Sequence, residues 1–312
     1  MVELRVGEQL VFDDVVAVVS SRDVLRVRGV DAASYLHGQI SQDVEGLAIA
    51  ASAWTLLLQP QGKVDAWLRI HRRGGEEFWL DVEPGYGQAA KDRLERFKLR
   101  VAAEIDLFTV PIVALRGPAS ARAAAEVTAP LVVLDGGWGG IDGADLFDPG
   151  LLESDGPPAD PVSWIPDGVA RAGEELLDVV RIRQGRPAMG HELDESTIPA
   201  SAGIVERSVD FTKGCYVGQE LVARIDSRGN NTPTRLYGLR FGGPDVPAVG
   251  AELSLDGVPS GTVTSVTVSP GLGTIGLAYL KRVVEVPASL QALSPDGRTQ
   301  PVEAVELPLT VG

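Results

Sequence analysis

Apolar and polar positions first follow a two-residue period. Residues 15–19 and 24–28 are β-branched runs separated by the polar stretch 20–23, and they predict two strands. Asp31 stands where a cap is expected for a short helix through Ala32, Tyr35 and Leu36, ending near Gly38. Residues 54–58 and 63–70 predict a hairpin turned by Gln59, Pro60, Gln61 and Gly62. A third strand is expected over 78–82. The period then lengthens after Pro84, where Ala90, Leu94 and Phe97 predict a helix opened by that proline.

Further strands are expected over 110–115, 131–134 and 141–147, with an alanine-rich helix over 118–126. The glycine-rich run 136–140 reads as a turn, because a phosphate loop needs a helix to open from it and Asp142 and Asp145 repel phosphate. Residues 155–168 hold four prolines and two glycines and predict a linker. A helix over 174–185 follows, with Leu176, Leu177, Val180 and Ile182 apolar and Gly185 closing it. Its basic end (Arg181, Arg183, Arg186) suits the helix dipole or, alternatively, an anionic ligand tail. Beyond residue 231 helical signals stop. Short segments at 235–241, 252–255, 261–268, 274–280 and 301–307, parted by Gly, Pro and Asp, predict a small β-barrel. The Gly-x-Gly-x-x-Gly spacing at 271–276 falls among these strands, and a dinucleotide site would need a helix there. The expected class is α+β in three parts: a body over 1–155, a linker, helix and motif segment over 156–229, and a barrel over 230–312.

Composition narrows the function. The 312 residues are 44% hydrophobic and 23% charged, ordinary for a folded chain and too long for one small core. No apolar run reaches membrane-spanning length, and residues 1–14 lack the basic-then-apolar pattern of a signal peptide. With a single cysteine, these features predict a cytoplasmic protein without internal disulfides or a membrane. One cysteine and three scattered histidines make a resident metal site unexpected, and an iron–sulfur cluster would need ligands from other proteins. The net charge of −15 argues against direct DNA binding. Residues 63–100 and 181–240 nevertheless each hold nine Lys/Arg against seven Asp/Glu, as would suit an anionic small molecule or simply a mixed-charge surface.

The densest chemistry lies at 211–224, FTKGCYVGQELVAR. Gly214 and Gly218 flank Cys215, allowing a tight turn, and Lys213 could favour the thiolate. The alternative is a small, buried, inert cysteine.

Lys213-Gly214-Cys215-Tyr216, then Gly218-Gln219-Glu220 and Arg224, resembles the signature of the YgfZ folate-binding proteins, relatives of the glycine-cleavage T-protein. Residues 26–44 and 185–204 are similar to the same group. The resemblance implies a T-protein-like fold with a C-terminal barrel and a tetrahydrofolate cofactor in a central cavity. It also implies an accessory role in assembly or repair of iron–sulfur client proteins. In that reading Cys215 is the working thiol, Lys213 and Arg224 supply positive charge, and Gln219 and Glu220 hold the loop. A T-protein glutamate that grips the pterin carries over to Glu195, with Asp194 as its neighbour candidate, since a carboxylate can accept two parallel hydrogen bonds. Asp194 could equally be a turn residue. The T-protein Asp-Asp pair on the return strand corresponds to Asp65 and Ala66. The loss of one carboxylate weighs against aminomethyl transfer, because a methyl group cannot stabilise charge developing on a folate nitrogen. Aminomethyl transfer and a non-catalytic, folate-binding regulator of tRNA modification are the alternatives.

Overall fold

The structure is a computed structural model that describes residues 2–153, 160–243, 246–293 and 297–310. The body opens with α1 (Val2–Asp13), β1 (Val16–Arg28), α2 (Ala32–Gln39), β2 (Ser52–Leu58), β3 (Val64–Arg72) and β4 (Glu77–Val82). It continues with α3 (Gly87–Arg96), β5 (Glu104–Arg116), α4 (Ser120–Ala125), β6 (Val132–Asp135), β7 (Gly143–Phe147) and β8 (Ala170–Ala172). Helices α5 (Glu175–Gln184), α6 (Val205–Ser208) and α7 (Gln219–Asp226) lead into the last part. There β9 (Thr234–Phe241), β10 (Glu252–Leu255), β11 (Val258–Ser269), β12 (Gly273–Lys281), β13 (Ala288–Leu293) and β14 (Thr299–Val305) close a barrel in the order β10-β11-β12-β9-β14-β13. The class is α+β, and closure removes the exposed strand edges.

The body sheet runs β2-β3-β4-β1-β5-β7-β6, with β8 added parallel to β1. Residues 15–28, expected as two strands, form one, because β5 pairs with β1 along its whole length. On the opposite edge β4 pairs only with residues 23–28 and β8 only with 16–18. Residues 19–22 therefore have no strand beside them on that edge among the described residues. The polar stretch marks an opening in the ladder rather than an end of the strand.

Leu25, Val27, Leu36, Phe78 and Leu80 pack the sheet face covered by α2 and α3. Val16, Val18, Val24, Val110 and Ile112 pack the other face with Val11 of α1 and Leu176 of α5. Ile182 of α5 also packs on Ile275 and Leu277, so this one helix joins the body to the barrel.

Several expectations shift locally. Helix α3 begins at Gly87, three residues after Pro84, because the Asp23 carboxylate accepts from Gly85 N (2.8 Å) and Gly87 N (3.0 Å) and holds the chain in a turn first. Asp31 precedes α2 but gives its carboxylate to Ala102 N instead of capping. The N-terminal helix and β13 were not expected. The linker expected over 155–168 lies at 155–159 outside the described residues, and a short 3-10 turn spans Pro161–Trp164. Residues 271–276 lie in the β11–β12 turn and the start of β12, with Gly271 N bonded to Glu8.

Candidate functional site

The opening beside residues 19–22 leads into a cavity of about 450 Å³ between β1, β7, α5 and the chain after α5. Its floor is ionic. Arg69 of β3 donates to Asp81 (Nε–Oδ2 2.8 Å) and Asp145 (Nη1–Oδ2 2.9 Å), while Arg116 and Arg22 complete the pairs at 2.8 Å each. Burial alone would raise both carboxyl pKa values. The arginines overcome it, Arg116 then Arg69 at Asp145 and Arg69 then Arg22 at Asp81, and hold both carboxyls below the usual range.

The walls are aromatic. Trp54 stacks on Trp67 (4.4 Å between ring centres), and Trp138 meets Trp67 edge-on at 5.3 Å. The Arg186 guanidinium lies over Trp54 at 5.1 Å. Burial lowers Arg186 to about 10, against the opposing pull of Glu83, which sits 3.4 Å away. An arginine in that condition favours an added anion or strong acceptor.

Five side-chain atoms on cavity-lining residues are buried and unpaired: Arg22 Nη2, Trp54 Nε1, Glu83 Oε2, Gln184 Oε1 and Arg186 Nε. An unmet buried polar group costs about 1–3 kcal/mol, more when charged. Five in the shell of one aromatic cavity, among the described residues, mark it as a site where small side-chain rotations would meet a polar ligand carrying both donors and acceptors. A second, more open cleft of about 1070 Å³ lies against the barrel and shares Trp138 and Gln184 with the first.

Of the residues singled out from sequence for ligand or thiol chemistry, Arg181 and Arg186 at the basic end of α5 line this cavity, while the cysteine motif, Glu195, Asp194 and Asp65 do not. Glu195 is exposed, and only its backbone oxygen is engaged, by Gln59 Nε2 at 3.0 Å. Asp194 is a turn residue whose Oδ1 accepts from Ser196 N, Ser196 Oγ and Thr197 Oγ1. Burial pushes its carboxyl up, but those bonds prevail and lower it. Asp65 occupies a bulge where Leu57 faces Ala66 and Leu58 faces Val64. The extra residue turns its carboxylate to Arg93 of α3 at 2.9 Å.

The cysteine motif forms its own assembly. Lys213 Nζ donates to the backbone oxygens of His37, Ile40 and Gln42 at 2.5, 2.8 and 3.0 Å, closing the end of α2. Burial lowers this lysine to about 8, against the pull of Asp43. Tyr216 N donates to Gln219 Oε1, and Val217 N to Gly38 O. Gly218 begins α7 in the left-handed region (φ +83°), and a Cβ there would lie 2.4 Å from Gln59 O. Glu220 and Arg224 are exposed on α7. Cys215 is exposed with a free thiol. No group of His, Cys, Asp and Glu among the described residues could hold a metal.

Sequence reasoning missed Arg22, Arg69, Arg116, Glu83 and Trp54, and it reached Arg186 only as part of the basic end of α5 that could meet an anionic ligand tail. A signal existed for three of them: arginines inside otherwise apolar strands have to be paired, and buried pairs gather where strands meet.

No family model matches the chain. It is 27% identical over a 319-residue alignment to an aminomethyltransferase of Streptomyces avermitilis, covering 91% of this chain and 83% of that one. It is also 27% identical over 214 residues to an uncharacterised protein of Haemophilus influenzae, covering 67% of each. The solved glycine cleavage system aminomethyltransferase T of Bartonella henselae superposes with a TM-score of 0.80 at 20% identity, over 98% of this chain and 89% of that one. The fold is of the aminomethyltransferase type. Among the described residues no helix is long and apolar enough to cross a membrane.

Proposed function

We propose that this protein binds a reduced folate in the cavity beside Arg22 and serves as an accessory factor for iron–sulfur proteins, with Cys215 as its working surface thiol. The carrying observation is the aromatic cavity with five unpaired polar atoms, set in an aminomethyltransferase-type fold. The cysteine motif's resemblance to the folate-binding family supplies the ligand class and the accessory role. Tetrahydrofolate presents a flat pyrimidinone ring with amide and amino edges, fused to a puckered reduced ring, which suits a cavity walled by aromatic rings and pairing with the unmet donors and acceptors.

An accessory role is favoured over aminomethyl transfer by the return strand. Asp65 is committed to Arg93, and Ala66 is buried. Neither offers a free carboxylate to a folate nitrogen. The similarity to curated aminomethyltransferases supports the second reading, which release of ammonia and methylene-tetrahydrofolate from an aminomethyl donor would establish.

The motif's lysine, glutamine and glycines support the loop, and this leaves the sulfur of Cys215 as the exposed reactive atom of the segment. A cytoplasmic setting, where thiols stay reduced, suits that use. The test has two arms. Calorimetry with tetrahydrofolate should give saturable binding to wild type, at least tenfold weaker binding to Trp54→Ala, and unchanged binding to Cys215→Ala. In a strain lacking the protein, wild type should restore iron–sulfur enzyme activity and Cys215→Ala should not. Full restoration by Cys215→Ala would remove the thiol from the proposal.

A further inference from the structure

Glu83 follows β4 at the cavity wall, and its two carboxylate oxygens differ. Oε1 is met loosely by Arg22 Nη1 at 3.5 Å and Arg186 Nη2 at 3.4 Å, while Oε2 is buried with no partner. Both arginines keep an unmet donor of their own, Arg22 Nη2 and Arg186 Nε. Asp145, the other deep carboxylate of the lining, has both oxygens bound by Arg69 and Arg116. Glu174 and Asp178 also line the cavity but are exposed to solvent, so Glu83 is its deep carboxylate with an acceptor to spare, and it stands beside two guanidinium groups with donors to spare.

A carboxylate acceptor next to guanidinium donors is complementary to a ring edge that presents N–H groups followed by a carbonyl. We infer that Glu83, with Arg22 and Arg186, recognises the 2-amino-4-oxo-pyrimidine edge of the bound heterocycle. The 2-amino group and adjacent ring N–H donate to the Glu83 carboxylate, which turns on binding to bring its unmet oxygen to them, and the 4-oxo group accepts from an arginine. Trp54, stacked on Trp67 and carrying the Arg186 guanidinium over its ring, holds that donor at the cavity wall. Glu83 is then a specificity-determining residue. Replacing the 4-oxo group by an amino group also removes the hydrogen from the adjacent ring nitrogen, so a lone pair faces the Glu83 carboxylate while a donor faces the arginines, and the site rejects that analogue.

This inference rests on the folate reading for its ligand, but the edge chemistry can be tested apart from it, because guanosine carries the same amino, N–H and carbonyl sequence. Calorimetry on the full chain would compare tetrahydrofolate, its 4-amino-4-deoxy analogue and guanosine, in wild type and in Glu83→Gln. The expected result is wild-type affinity at least tenfold higher for tetrahydrofolate than for the 4-amino analogue. In Glu83→Gln, whose amide can donate to the bared ring nitrogen, that ratio should fall severalfold. A general loss of stability would weaken both ligands alike and leave the ratio standing. Equal wild-type affinity for the two analogues, or an unchanged ratio in Glu83→Gln, overturns the assignment. Glu83-dependent binding of guanosine without binding of tetrahydrofolate would keep the edge recognition and remove the folate reading. Binding of none of the three overturns both.

Discussion

His71 shows how one buried side chain sets a pH dependence. It is 3% exposed on β3, stacks near Trp79 at 5.4 Å, and is lowered to about 4, by burial first and by Arg73 and Arg69 next. Its folded pKa lies below the unfolded value of about 6.5, so unfolding takes up a proton between those values. The stability held by neutral His71 is therefore full above about pH 6.5 and lost as pH falls toward 4, by up to about 3 kcal/mol. Urea unfolding of wild type and His71→Phe at pH 7 and 4.5 should show the smaller pH loss in the variant; equal losses would mean the imidazole is solvated. Lys213 teaches the complementary point. A lysine two positions before a cysteine suggests thiolate chemistry, yet its ammonium is spent on three carbonyls at the end of α2. That role needs a long cationic donor, and nothing in the local sequence separates it from activation of the thiol.

The motif segment depends on backbone geometry as much as on side chains. Gly218 holds a left-handed conformation against the β2–β3 turn, where an added methyl group meets Gln59 O and the Leu58 side chain. Gly218→Ala should therefore cost about 2–3 kcal/mol, through the positive φ and the overlap together. It should also raise the alkylation rate of Cys215 as the loop lifts from the hairpin. Wild-type stability with an unchanged rate would show that the loop does not need this turn. Strand β3 carries the second lesson of this kind. Strict alternation places Asp65 on the face of Trp67 and Arg69, but the bulge at Leu57–Leu58 turns it to Arg93. One inserted residue thus decides which face a carboxylate serves.

The whole molecule is tied together by Glu8. This buried carboxylate accepts from Arg183 Nη1 (2.8 Å) of α5, Ser269 Oγ (2.5 Å) of β11 and Gly271 N (2.9 Å). It links the first helix, the joining helix and the barrel at one point. Glu8→Gln would leave Arg183 buried without its anion and should cost about 3–5 kcal/mol. Calorimetric unfolding should then split into separate transitions for body and barrel; a single transition at the wild-type temperature would show that Ile182 and its apolar partners hold the parts together alone. The same architecture keeps the cavity and Cys215 apart, since the motif packs on the end of α2 and the hairpin turn while the cavity opens beside β1 and α5. Ligand binding and thiol chemistry are thereby separable by mutation.

Periodicity made the fold class, the 54–70 hairpin, helix α5 with its Gly185 stop and the barrel legible, because burying an apolar face imposes local spacing on the residues that line it. The cysteine motif was equally plain, as a short contiguous run. The cavity was not, since its groups come from Arg22, Trp54, Glu83, Asp145 and Arg186, far apart in the chain. Neither the gap in strand pairing at 19–22 nor the spare oxygen of Glu83 has a local signature. Both arise because β4 and β8 stop short of each other along β1, and because buried charges there compete for too few partners. Local periodicity reports which residues must be inside; which of them are left with unmet hydrogen bonds is settled by packing between elements distant in sequence.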